Sequence, residues 1–113
     1  MLESVTSKAL ESALDGLSMR QKAIANNIAN INTPGYTAER VSFEDALAAS
    51  VKNGNGSVEA TISRSLEPTN TNGNNVNLDT ETLSNTTTVL QYQFATQAES
   101  QQLTAVRAVL KDG

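Results

Sequence analysis

Apolar residues recur near the start of the chain at Leu10, Leu14, Leu17, Ile24, Ile28 and Ile31, spaced 4, 3, 7, 4 and 3 apart. That is a heptad seam with Gln21 at the one missing position, and it predicts a helix over residues 2–31. Ala9, Ala13, Ala23, Ala25 and Ala29 are small enough to let other helices approach closely. Gly16 sits inside the pattern at a cost of about 1 kcal/mol relative to Ala. The helix is expected to end near Asn30 to Asn32, because Pro34 disfavours helical geometry at Thr33. Pro34-Gly35 then reads as the centre of a type II turn, with Gly35 at positive φ.

The middle of the chain has shorter patterns. Ser42 with Asp45 three residues on resembles a capping box, and Phe43, Leu47 and Val51 share one helical face, so a helix is expected over residues 43–52. Asn53-Gly54-Asn55-Gly56 marks a turn. Val58, Ala60 and Ile62 alternate with polar residues and suggest a short strand. Residues 67–77, dense in Asn and Thr, read as loop.

A second long helix is expected over residues 79–111. Asp79 is its N-cap, Leu78 and Leu83 stand at the staple positions, and Glu81 and Lys111 suit the macrodipole. Its apolar residues form two stripes: Leu83, Leu90, Phe94 and Ala98, and Tyr92, Leu103, Val106 and Leu110. Phe94 and Leu103 are nine residues apart, half a turn out of phase, so one partner helix cannot cover both stripes. Either the seam slips, or the helix is buried on two sides, by its own partner and by a neighbouring subunit. The expected fold is mainly α: one domain over residues 1–113, with long N- and C-terminal helices packed as a coiled-coil-like pair. A turn, a short helix, a short strand and loops over residues 32–78 connect them.

Composition removes most chemistry. The 113 residues include no Cys and no His. Disulfides, thiolate metal sites and the commonest general base are therefore excluded. A net charge of −4 argues against nucleic acid. Hydrophobic residues make up 38% and aromatics 4%, a thin core for a chain standing alone. A calcium loop framed on Gly73 places Pro68 at the first ligand position and a short Asp79 at the twelfth, leaving too few carboxylates. Asn55-Gly56-Ser57 and Asn85-Thr86-Thr87 match a glycosylation pattern that arises by chance in an Asn- and Thr-rich chain. Ser4 with Lys8 and Ser18 with Lys22 are one helical turn apart, but nothing nearby desolvates either Lys, so both pairs read as helix surface. No catalytic, cofactor or metal residue is assigned, and a packing role leads. No apolar run approaches the roughly 20 residues that span a bilayer. The amphipathic start has no basic or apolar leader region, so no cleaved signal is expected.

The most specific stretch is ANNIANINTPGY, residues 25–36. An ordinary Asn-rich C-cap and turn explains Asn30 through Gly35, just ahead of Tyr36. It does not explain Asn26 and Asn27, which sit inside the helix. The stretch resembles the N-terminal signature of the bacterial flagellar axial proteins of rod and hook. A second run, Gly73-Asn74-Asn75-Val76-Asn77-Leu78-Asp79-Thr80-Glu81, followed by Leu90-Gln91-Tyr92-Gln93, is similar to the start of the C-terminal helix in the proximal rod branch of that family. Phe43-Glu44-Asp45-Ala46-Leu47 fits as well, and the connector leaves no room for an outer domain. The resemblance implies a structural protein whose two terminal helices run along the axis of a tube and transmit torque. The implied partners are copies of itself, other rod subunits, the membrane ring with its rod adaptor, and the flagellar type III export apparatus. It also implies a place in the basal body, in the cell envelope, after export without a cleaved signal, with no small-molecule substrate. Another axial subunit of the same family, or a soluble helical adaptor or export chaperone using the seam, are the alternatives.

Overall fold

A computed structural model describes residues 4–112, with the side chains of residues 105, 106 and 109–112 outside the description. The order is α1 (Val5–Ala29), β1 (Glu39–Ser42), α2 (Glu44–Lys52), β2 (Thr61–Arg64) and α3 (Leu78–Asp112). The fold is mainly α, and the molecule is elongated, 65 × 25 × 16 Å.

Ser4 caps α1 by accepting a hydrogen bond from the Ser7 amide at 3.0 Å. Leu2, placed in the helix by the sequence pattern, lies outside the described residues. At the far end the helix stops at Ala29. Asn30 leaves helical geometry (φ −109°, ψ 19°), and Ile31 falls in the following turn rather than in the helix. α3 runs antiparallel along α1. Asn27 near the end of α1 meets Glu81 in the first turns of α3 at 2.6 Å, and Gln102 reaches Ser4 at 3.5 Å. At 1.5 Å per residue α3 is about 52 Å long and α1 about 38 Å.

The sequence pattern missed β1, which carries only one apolar residue, Val41. β1 pairs antiparallel with β2 in the register Glu39–Arg64 to Ser42–Thr61. Ser42 is therefore a strand residue and does not cap α2. Phe43 takes the cap position without a side-chain bond, so α2 begins one residue later than expected. The second strand also starts later, at Thr61 instead of Val58. Ser12 Oγ accepts from the Val58 amide and donates to the Gly56 carbonyl, both at 3.2 Å, which ties residues 56–58 to α1 rather than to β1. α3 begins at Leu78, because Asn77 and not Asp79 caps it: Asn77 Oδ1 accepts from the Thr80 amide at 3.2 Å. The expected staple is absent, since Leu78 and Leu83 are both exposed.

Leu17, Ala23, Val41, Phe43 and Ala95 form the core where α1, β1 and α3 meet, with Leu14, Leu47 and Tyr92 packed around it. Gly16 has its explanation here. A Cβ at that position would lie 2.5 Å from the Phe43 ring. The helix accepts the roughly 1 kcal/mol penalty of Gly because Ala would displace a ring whose burial contributes about 1.5–3 kcal/mol. Arg20 closes the same corner. It lies over the Phe43 ring at 4.9 Å, holds both Glu44 carboxylate oxygens at 2.6 and 2.8 Å, and donates to the Val41 carbonyl at 2.6 Å.

This Arg20 clamp holds the Glu44 carboxyl below its ordinary pKa of 4.5, against the opposing effect of partial burial. A depressed carboxylate stabilises the fold above its unfolded pKa and loses that contribution as pH falls through the folded value. The pair is half exposed, so roughly 0.2–1 kcal/mol is at stake at neutral pH. Thermal unfolding of the parent and of Glu44→Gln should differ at pH 7 and converge once the pH drops well below 4.5. A gap that stays constant into acid would show that the clamp contributes by packing alone.

Candidate functional site

The residues singled out by the two sequence signatures converge on one end of the molecule, where the end of α1, the turn after it, β1 and the start of α3 meet. Asn27 is its centre and is fully buried. Its Nδ2 donates to the Glu39 carbonyl at 3.0 Å and to Glu81 Oε1 at 2.6 Å. Its Oδ1 accepts from the Glu39 amide at 2.7 Å and from the Tyr36 hydroxyl at 3.0 Å. One amide thus ties α1 to β1, to the turn and to α3. Glu81, also fully buried, has its second oxygen on Arg40 at 3.0 Å, so both carboxylate oxygens are satisfied. A buried charge is tolerated only with such partners.

Asn74 and Asn75 complete the junction from the other motif. Asn74 Nδ2 donates to the carbonyls of Asn30 and Thr33 at 2.9 and 2.8 Å, in the turn after α1, where each carbonyl also accepts a backbone amide. Its Oδ1 accepts from the Val76 amide at 2.8 Å. Asn75 Oδ1 accepts from the Ala38 amide, and its Nδ2 bonds the carbonyls of Ser65 and Glu67. The backbones also touch. Gly35 N donates to the Asn72 carbonyl at 2.9 Å, and a Cβ on Gly73 would lie 3.2 Å from Gly35 Cα. Gly35 has φ +76°, and the Tyr36 amide closes the turn onto the Thr33 carbonyl at 3.2 Å. The two signatures are therefore two halves of one latch.

The remaining signature residues lie at its edge. Asn26 is exposed and reaches Glu39 Oε1, Asn30 Nδ2 bonds the Asn26 carbonyl, and Thr33 bonds Asn30. Pro34 and Asp79 are exposed, and Val76 is buried. Burial pushes the Tyr36 phenol above its usual pKa, while the Arg64 guanidinium over its ring pulls the other way. Tyr36 is thus a neutral hydrogen-bond donor at physiological pH. Sequence reasoning missed Glu39, Arg40 and the tertiary role of Glu81. The available signal was a charged residue in heptad phase with Thr88 and Ala95.

That phase defines the inner face of α3: Glu81, Thr88 and Ala95 are buried, and Tyr92 packs on the core. On α1, Leu17 and Ile24 are buried and Leu10 and Leu14 half-buried, and Ile31 in the turn beyond the helix is half-buried as well. Ile28 departs from the seam and is 38% exposed, because Asn27 takes the inward position beside it. The stripe Leu83, Leu90 and Phe94 turns outward, at 69, 61 and 76% exposure. Leu103 is also exposed, where α3 runs past the described start of α1. The side chains of Val106 and Leu110 lie outside the described residues. Among the described residues no group of acidic side chains is placed to hold a metal ion, and no helix is long and apolar enough to cross a membrane.

A model of the flagella basal body rod protein family matches residues 8–37, most of α1 and the whole of the turn after it. Over nearly the full length, the chain is 32% identical to the flagellar basal body rod protein FlgB of Bacillus subtilis (strain 168), covering 99% of this chain and 98% of that protein. The chain belongs to the FlgB family of flagellar basal body rod proteins. FlgB of Borrelia hermsii is 30% identical and FlgB of Borreliella burgdorferi 28%, each across 87% of this chain and 90% of its own length. As a FlgB-family member the chain is a structural rod subunit of the flagellar basal body. The family is a structural one and not an enzyme family. The family match ends at residue 37, one residue beyond the turn, so it contains one half of the asparagine latch. The full-length FlgB relatives extend over the other half.

Proposed function

We propose that the chain is a subunit of the proximal rod, where it packs through its two long helices against copies of itself and other rod subunits and passes torque along the axis. In this reading it also meets the membrane ring and its rod adaptor. It reaches the cell envelope through the flagellar type III export apparatus without losing a signal segment. The observation that carries the reading is the outer stripe of α3. Single exposed apolar residues are ordinary, but Leu83, Leu90 and Phe94 follow one another along one helical face, opposite a face already filled by the chain's own α1. The thin core agrees with it, since burial between subunits supplements what folding alone provides.

Density for the chain in isolated basal bodies tests the reading. The expected result places it at the base of the rod, with Leu90 and Phe94 against a neighbouring subunit. Purified rods lacking the chain, or a map with that face in solvent, would overturn it.

A further inference from the structure

Three Asn-Gly pairs occur in the chain, at residues 53–54, 55–56 and 72–73. Asn is a thermolabile residue, and a following Gly makes it most so, because a neighbour without a Cβ lets its backbone nitrogen reach the Asn side chain. Ring closure needs a free side-chain amide and a peptide able to turn toward it. All three pairs share the same following residue, so the difference between them lies in what holds each one.

Two pairs are held. Asn72 Oδ1 accepts from the Asn74 amide at 3.1 Å, the Asn72 carbonyl accepts from Gly35 N at 2.9 Å, and Gly73 N donates to the Asn70 carbonyl at 2.9 Å. Asn55 Oδ1 accepts from the Ser57 amide at 3.2 Å, and Gly56 N donates to Ser50 Oγ at 3.0 Å. Gly56 is also buried against α1, where a Cβ would lie 2.6 Å from the Val5 carbonyl oxygen. Asn53-Gly54 differs. Both residues are exposed, and the Asn53 side chain makes no hydrogen bond among the described residues. Nothing lies within 4 Å of where a Gly54 Cβ would stand. One bond, from Gly54 N to the Val51 carbonyl at 3.0 Å, holds the peptide between them, at the end of α2, where helices fray.

We infer that Asn53 is the self-modification site of the folded chain, a position where the amide is lost spontaneously to water. Gly54 N gives its proton to hydroxide and attacks Asn53 Cγ. The side-chain nitrogen leaves as ammonia, taking a proton from water and restoring the hydroxide. One water then adds to either carbonyl of the cyclic imide, and cleavage of that C–N bond leaves aspartate or isoaspartate at position 53. Nothing is oxidised or reduced. The product carries one further negative charge at the C-terminal end of α2, where a carboxylate opposes the macrodipole. Isoaspartate also adds a methylene to the backbone of the turn that seats Gly56 on α1. The inference is independent of the rod reading.

The full chain, held in mildly alkaline buffer either folded or in denaturing urea, provides the test, with peptide mapping by mass spectrometry to follow each pair. In the folded chain Asn53 is expected to convert severalfold faster than Asn55 and Asn72, with isoaspartate among the products. In urea the three rates should come together, since the sequence alone then sets them. Asn53→Gln, whose side chain would have to close a larger ring, should remove the main modification and leave the slow conversion of the other two pairs unchanged. Conversion of Asn55 or Asn72 at the same rate as Asn53, or ahead of it, in the folded chain would overturn the inference. So would a preference for Asn53 that persists undiminished in urea, because the fold would then play no part in the selection.

Discussion

A chain carrying Asn27→Leu is expected to be largely unfolded at 25 °C. Leu has the branched shape of Asn with two methyl groups in place of the amide oxygen and nitrogen, and is larger, so no cavity forms, and the main effect comes from the polar groups left behind. Asn27 is fully buried and makes four hydrogen bonds. Its loss leaves Glu81 Oε1 and the Glu39 amide without their partners, and leaves the Glu39 carbonyl with only a long bond from Arg40 Nη1 at 3.3 Å. Each unsatisfied buried group costs about 1–3 kcal/mol, more where charge is involved. The two orphaned groups amount to roughly 2–6 kcal/mol, set against a total stability of about 5–15 kcal/mol for a folded domain, with this chain at the small end. Urea unfolding followed by circular dichroism is the measurement. Asn26→Leu is the control. Asn26 is exposed and touches only Glu39 Oε1, so its replacement should stay within about 0.5 kcal/mol of the parent. Equal effects from the two substitutions would mean that the latch carries no special share of the stability.

The double variant Leu90→Asp with Phe94→Asp should behave in the opposite way, folding normally and failing in the cell. Both side chains are exposed in the single chain, and Asp costs well under 1 kcal/mol of helix propensity at each position relative to Leu or Phe. Helicity and Tm of the purified chain should change little. In the rod reading the same side chains are buried against a neighbour. An unpaired carboxylate there costs about 3–5 kcal/mol, or more than a hundredfold in association at each site. A strain depending on this variant is expected not to swim. Wild-type swarming would show the outer stripe to be solvated in the rod, and a collapsed Tm would show that the stripe belongs to the core.

What was legible in the sequence was what the backbone decides locally. Pro34 and Gly35 impose their geometry without outside help, and Gly35 has the positive φ that a type II turn requires. The half-turn offset between the stripes of α3 is pure helical arithmetic, and the chain places Tyr92 on the core and Phe94 in solvent, but Leu103, expected beside Tyr92, is exposed as well. The two signatures were visible as strings of Asn, but their meeting was not. Asn27 and Asn74 are 47 positions apart in sequence, and nothing local says that both serve one junction. β1 was invisible for the same reason. Its Glu39 and Val41 backbone groups are held by Asn27 and Arg20 from α1, contacts that a short polar segment does not announce. The cap of α3 went to Asn77 instead of Asp79 because Val76 is pulled into the core and fixes where the helix begins.

The asparagine latch lies at one end of two helices, and that position gives it leverage. α1 extends about 38 Å from it, so a rotation of only 5° at the latch moves the far end of the helix by roughly 3 Å. That is comparable to the length of a hydrogen bond. Four amide contacts with fixed directions at the fulcrum therefore set where the opposite tips of the two arms come to rest, where the bond between the described residues is the long one from Gln102 to Ser4. A rod built from such subunits inherits its angular precision from side chains that need never touch another subunit.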